Sequence, residues 1–381
     1  MKILVFEFGG GVLNSFDIHA ALRNKKISYQ TVSYSFADTN HDEYFKYRFL
    51  KVLKEGLYDA VFSINYFPLV AECCFESGIK YLAWSFDNPL NATNVEETMG
   101  LETNHVFLFD RDLVKKYTSQ GFDNVKHLPL AVNCDRLDTI RLTKDDERYI
   151  SPVSFVGRLY DSQLPVLSGF VDEYLKGYLE AIETAQTDMY GVSVIHDMVT
   201  EELVAKINRF TNEEINRDWL IYELEKAVTR RERVLLIRML SDRYPFKLYS
   251  VDQHPAFVNI EYMGTCNYVT EMPKVFKLSA INLNIALKTI TSGIPQRIVD
   301  IMGAQGLCLT NFQPELLEHF ENGRDIVFYD SMEDAIDKAQ YLLTHEEDRE
   351  AIRINGYNRM REAFSYEQRF EQMFESAGIH I

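Results

Sequence analysis

Cysteine is scarce and scattered. Cys73, Cys74, Cys134, Cys266 and Cys308 are odd in number, and no two stand at CxxC spacing. That pattern argues against a cysteine-built metal centre or a disulfide framework and favours buried thiols in a reducing, intracellular setting. Positive charge is also short: 40 Lys and Arg face 57 Asp and Glu, for a net charge of −17. Such a surface repels phosphate backbones and anionic lipid, which argues against nucleic acid and against a polybasic membrane anchor. A local basic pocket for one nucleotide is still compatible with the total. No window approaches ~18 uninterrupted apolar residues, and the chain opens on a strand-like MKILVF with no leader pattern. A cytoplasmic protein without an integral membrane segment is therefore expected. Internal repeats and low-complexity tracts are missing too.

What is present suits two globular domains. The 381 residues exceed one usual core, and 46% apolar content with 13% aromatics is enough for two. From the start, Lys2–Phe8 is a short apolar strand turned by Gly9-Gly10-Gly11 before an amphipathic segment. Strand, glycine turn and helix open a nucleotide-type α/β domain, although no third glycine completes GxGxxG. The alternation continues to about residue 130, which predicts a parallel sheet wrapped by helices. Two strand ends there are polar: the run Ser63-Ile64-Asn65-Tyr66-Phe67-Pro68 and the run Trp84-Ser85-Phe86-Asp87-Asn88-Pro89. Ligands collect beyond the carboxyl ends of such strands, so Asn65 and Asp87 are site candidates. Asp87 reads either as a base or acceptor-hydroxyl ligand, or as an Asx turn with Asn88-Pro89. Asp110-Arg111-Asp112 is a DxD on paper, but Asp110 more simply caps the helix from Leu113 onward. His127 ends a later strand beside a proline-bounded loop.

Cys134 to Ser151 is charged and weakly periodic and reads as a linker. Pro152 to Val156 is then a strand ending in Gly157-Arg158. The glycine allows close backbone approach to a phosphate and the guanidinium can fork onto its oxygens; a surface ion pair is the alternative. No lysine follows before Lys176. Residues 164 to 240 are helical in pattern and read as an insertion. Tyr268, after another strand, is placed either to stack on a base or to fill the core.

The stretch from Lys277 to Gln313 carries most of the information. An apolar strand (Ala280 to Ile285) meets a small-residue turn, Thr291-Ser292-Gly293, and Pro295 starts a helix whose face is Ile298, Val299, Ile301 and Met302. A glycine-containing loop that opens a helix presents free N–H groups and a positive dipole end, which suits a diphosphate. Asp300, about two turns on, can accept two ribose hydroxyls.

This run resembles the C-terminal domain of the CgeB-like (spore-maturation-type) glycosyltransferases, which are related to group-1 enzymes of the GT-B fold. The likeness rests on Ile281-Asn282-Leu283-Asn284 and on Ser292 through Asn311. The runs around Asn65-Tyr66-Phe67-Pro68 and Trp84 to Pro89 resemble the N-terminal domain of the same group. The resemblance implies an α/β, GT-B-type fold: two Rossmann-like domains facing a cleft, with an α-helical insertion in the second. The expected division is an acceptor domain 1–133, a linker 134–151 and a donor domain 152–365 with its insertion at about 164–240. A last helix in 366–381 would return to the first domain. It also implies transfer of a sugar from a nucleotide-sugar co-substrate, expected to be UDP-linked, with no tightly bound cofactor and no metal. On that pattern Gly157, Arg158, Thr291, Ser292, Gly293 and Arg297 hold the diphosphate, Tyr268 the base and Asp300 the ribose. Asp87 is then the catalytic candidate, and Gly10, Gly11, Asn65 and His127 line the acceptor side. Two departures stand out. Group-1 enzymes often carry two glutamates eight positions apart, where this chain has Ser292 and Asp300, and Gln305 replaces a common glycine. A sugar-nucleotide epimerase or hydrolase of this fold, or a non-catalytic sugar-nucleotide-binding partner module, are the rival readings. Sugar, acceptor (protein, glycan or small molecule), hexosyl or N-acetylhexosaminyl class and stereochemistry stay open.

Overall fold

The computed structural model describes residues 1–381 except Val12, Ala37, Thr39, Glu213 and Ile381. The chain divides into two compact units. Unit 1 holds Met1–Cys134, Gly293–Val299 and Met360–Ile381; unit 2 holds Asp135–Ser292 and Asp300–Arg359.

Unit 1 is built on six strands: β1 (Lys2–Phe8), β2 (Ser28–Tyr34), β3 (Ala60–Ile64), β4 (Lys80–Ser85), β5 (Asn104–Leu108) and β6 (Val125–His127). They pair in parallel in the order β2-β1-β3-β4-β5-β6. The order reverses between β1 and β3. β3 and β4 are almost wholly buried runs, as strands covered on both faces must be. Phe6, Phe45, Phe49 and Phe67 pack edge-on and stacked in one core. The helix Tyr366–Ser376 covers unit 1 near β3 and β4: Phe370 lies 5.2 Å from Phe62, Tyr366 5.9 Å from Trp84, and the Tyr366 hydroxyl accepts from Asn14 at 2.6 Å.

Unit 2 repeats the principle with β7 (Ser151–Val156), β8 (Phe246–Tyr249), β9 (Ile260–Gly264), β10 (Ser279–Asn284), β11 (Cys308–Asn311) and β12 (Val327–Tyr329). All pair in parallel, in the order β12-β11-β10-β7-β8-β9, so the reversal lies between β10 and β7. The asparagines of β10 serve this sheet. Asn282 bridges Ser154 to the Phe276 carbonyl, and Asn284 donates to Thr310 at 2.9 Å.

Among the described residues, five helices lie between β7 and β8, from Leu164–Ser168 to Arg217–Ser241. They gather a core of their own around Leu175, Leu179, Ile182, Leu220, Leu224 and Val228. The last helix runs 25 residues, about 38 Å at 1.5 Å per residue, and its far end gives Leu236, Ile237 and Leu240 to the core of the sheet. One helix thus belongs to two cores.

The charged segment expected as a linker is tied to unit 2 from Asp135 on. Thr143 and Asp146 form a capping box, Asp146 sits 2.9 Å from Lys274, and Asp138 accepts from Gln305 at 2.9 Å. Asp138 and Asp146 are thus engaged with unit 2, while Arg141, Lys144, Asp145 and Glu147 face solvent. The same pairing with Lys274 holds the Asp146 carboxyl down at about 2. Gln305 also accounts for the glycine common at its place: its φ is 61°, in the left-handed region.

Candidate functional site

In unit 2 the carboxyl ends of β10 and β7 are neighbours across the strand-order reversal, where an open parallel sheet leaves a crevice. Gly157 and Arg158 follow β7 directly. The Arg158 side chain is 67% exposed and lies 3.7 Å from Asp252, an ion pair too exposed to fix it. Asp252 is bound more closely by the Leu159 N–H, at 2.6 Å. The arginine is therefore able to swing onto an incoming anion.

Asp300, on the helix Gln296–Gly303, is 7% exposed, and its Oδ1 accepts the Tyr268 hydroxyl at 2.9 Å. Tyrosine and carboxylate form one group, so Tyr268 orients the acid through its hydroxyl, whatever its ring meets. Thr291 is half-buried and Ser292 buried. The Ser292 hydroxyl donates to Glu315 Oε1 at 2.9 Å, and the Glu315 N–H returns to the Ser292 carbonyl at 3.1 Å. A carboxylate from the β11 side thus stands against the position where the sequence places serine. With its hydroxyl facing an acid, Ser292 meets an anion best through its backbone N–H.

Behind these loops stand buried polar side chains of the helix Arg217–Ser241 that sequence reading passed over. Arg233, 7% exposed, donates from Nη1 to the Arg158 carbonyl and from Nη2 to the Ile285 carbonyl. Thr229 Oγ1 accepts the Lys288 N–H at 3.0 Å, and Glu232 holds the Lys288 ammonium at 2.9 Å. Glu223 Oε2 accepts the Gln163 N–H at 2.6 Å. Charge along this helix reads from sequence as a solvated face, and the partners, 50 or more residues away, carry no local pattern. A separate cavity of about 770 Å³ lies against this helix, walled partly by Lys176, Arg230, Arg231 and His254. None of the donor candidates lines it, and two of its cations are already paired, Arg230 with Asp161 and Arg231 with Glu183.

The other sequence candidates lie in unit 1. Gly9, Gly10 and Gly11 all have positive φ (64°, 97° and 102°), a turn that side chains resist. Asn65, at φ 64°, ends β3 and latches the end of β4: its Oδ1 accepts from Phe86 N–H at 2.9 Å and Asp87 N–H at 3.3 Å, and its Nδ2 donates to Asp87 Oδ2 at 2.7 Å. Burial raises the Asp87 carboxyl above its ordinary range, against the opposing Asn65 hydrogen bond. Asp110 caps its helix through Asp112 and Leu113 N–H and accepts from Asn88 at 3.1 Å. His127 closes β6 half-buried, and Arg297 is half-buried as well. Gly293 belongs here: a Cβ on it would stand 2.7 Å from the Phe109 carbonyl oxygen. The sequence reading missed Glu7, near the end of β1, which faces His19 at 3.4 Å. Its signal was a lone acid late in an apolar strand. Among the described residues no group of three or more His, Cys, Asp or Glu is placed to hold a metal, and no helix is long and apolar enough to cross a membrane.

Residues 230–375 match the model of a family described as glycosyl transferase-like. Solved structures align over nearly the whole chain. A glycosyltransferase from Rickettsia africae shares 12% identity at TM-score 0.60, with 98% of each chain covered. Anabaena HepE, in complex with UDP and glucose, shares 10% at TM-score 0.57, with 99% of each covered. T4 phage BGT, in complex with its UDP-glucose substrate, shares 10% at TM-score 0.52, again with 99% of each covered. Such identities show the fold, which is of the GT-B type. No curated protein matches the chain.

Proposed function

We propose that this protein is a group-1-type glycosyltransferase of the CgeB-like group that takes a UDP-sugar donor. The observation that carries the reading is the pairing of Tyr268 with the buried Asp300 on the helix that follows the Thr291–Gly293 turn. The UDP and UDP-glucose complexes of proteins with this fold support it. Asp300 takes the ribose hydroxyls through its carboxylate, which Tyr268 orients at Oδ1. Charge builds on the diphosphate as the sugar leaves. Backbone N–H groups around Thr291–Gly293 and Gly157, with the Arg158 and Arg297 guanidiniums, stabilise it without need of a metal. Unit 1 provides the acceptor side, with Asp87 as base; its raised carboxyl is a better proton acceptor than an ordinary aspartate once ionised. The free cysteines support a reducing, cytoplasmic setting.

Calorimetry with UDP and a panel of UDP-sugars, with and without EDTA, tests this. Binding that survives EDTA is expected. Undetectable binding at millimolar ligand, or binding abolished by EDTA, removes the phosphate-loop reading. Release of UDP from UDP-sugar with and without candidate acceptors then separates transfer from hydrolysis and from plain binding.

A further inference from the structure

We infer that Arg233 is a positioning residue of the donor site, the strap that sets the spacing between the two loops at the strand-order reversal of unit 2; this rests on the donor reading above. Its guanidinium reaches one carbonyl on each side of that reversal: Arg158, which has just left β7, and Ile285, which has just left β10. Only a planar fork with two diverging donors can span both; an ammonium is a point donor. The group is also clamped face-on, with the Phe155 and Tyr160 ring centroids 5.2 and 4.9 Å from its carbon. A Cβ on Gly157 would sit 3.2 Å from the Phe155 ring and 3.7 Å from Arg233 Nη1. Glycine, ring and arginine therefore form one packed layer directly beneath the backbone assigned to the diphosphate.

The strap does not act alone. Thr229, one turn earlier on the same helix, accepts the Lys288 N–H from the same post-β10 loop, and Glu232 holds that residue's ammonium. Glu223 binds the post-β7 loop at Gln163. A single helix of the insertion thus grips both loops from behind, leaving their outer faces to a ligand. The backbone N–H groups that would meet a diphosphate keep their spacing only while those carbonyls are held. Arg233 is buried beneath the loops and acts through Arg158 and Ile285 rather than on the phosphate.

The test compares UDP with uridine on the full chain by calorimetry, alongside thermal unfolding. Arg233→Lys keeps the charge and loses the fork. It is expected to weaken UDP binding about tenfold while uridine affinity changes less than about twofold, because only the diphosphate depends on the loop spacing. Equal weakening of both ligands, or none, overturns the proposal and leaves Arg233 a structural residue. Thr229→Val removes the second hold with no change of charge and covers the case of a misfolded Arg233→Lys. It is expected to show the same UDP-selective loss at a few-fold, and an unchanged ratio of UDP to uridine affinity overturns the idea. A wild-type chain that binds neither ligand overturns both this inference and the donor reading, whereas wild-type binding with an unselective variant overturns only this one.

Discussion

The two sheets share a principle and differ in how their reversal points are held. In unit 1 the loops after β1 and β3 are fixed by residues of the loops themselves, three left-handed glycines and the Asn65 amide that grips Phe86 and Asp87. In unit 2 the corresponding loops are gripped from outside, by Thr229, Glu232 and Arg233 of a helix inserted between β7 and β8. Strand order brings two loops together but leaves their spacing free. Local turn chemistry supplies that spacing in one unit; a buried, charged helix imported from elsewhere supplies it in the other.

The sharpest way to break this contrast is to strike unit 2 at its ligand group. Asp300→Asn should weaken UDP-sugar binding about ten- to a hundredfold, the worth of one or two charge-assisted hydrogen bonds. Folding should hold, since asparagine can still accept the Tyr268 hydroxyl. The variant should also stop distinguishing UDP from its 2′-deoxy analogue, and wild type that binds the two alike would take Asp300 off the ribose.

A middle-sized effect is expected at Asn65. Asn65→Gly keeps the left-handed backbone but loses three hydrogen bonds, for about 1–2 kcal/mol of stability by chemical denaturation. UDP affinity should stay within about twofold if the units hold their loops independently. A UDP defect as large as that of Asp300→Asn would end the comparison.

The smallest effect is a titration. Burial raises the folded pKa of Asp87, so its protonated form is favoured in the native state: its contribution to stability grows as pH falls through that pKa and diminishes as pH rises. Activity that uses Asp87 as base should run the other way and fade toward acid. In Asn65→Gly the bond that opposes the shift is gone, so the carboxyl-carbon NMR titration of Asp87 should move to still higher pH. A shift downward would mean that water admitted by the truncation outweighs the lost hydrogen bond.

Much of the architecture was legible, because alternating apolar strands and amphipathic helices report local periodicity. In unit 1, Gly9–Gly11, Asn65 and Asp87 stood out in short runs with turn chemistry, but the grip of Asn65 on Phe86 and Asp87 did not. The asparagines of the run Ile281–Asn284 misdirect: they stand out in sequence, yet Asn282 and Asn284 are spent on neighbouring strands. The pairings that organise unit 2 were not legible. Arg233 reaches back 75 residues to Arg158 and forward 52 to Ile285, and Glu315 meets Ser292 across 23. Side chains separated by that much chain leave no spacing to read.

The helix Arg217–Ser241 has one further consequence. Because it gives Leu220 and Leu224 to the core of the insertion and Leu236 and Ile237 to that of the sheet, neither core can open without disturbing the other. Its central amides should exchange with deuterium only when the whole of unit 2 unfolds, together with those of β7 and β10, as one cooperative block. An inserted segment of this kind is no ornament that evolution or an engineer can trim; shortening it would be felt first as lost protection in strands it never pairs with.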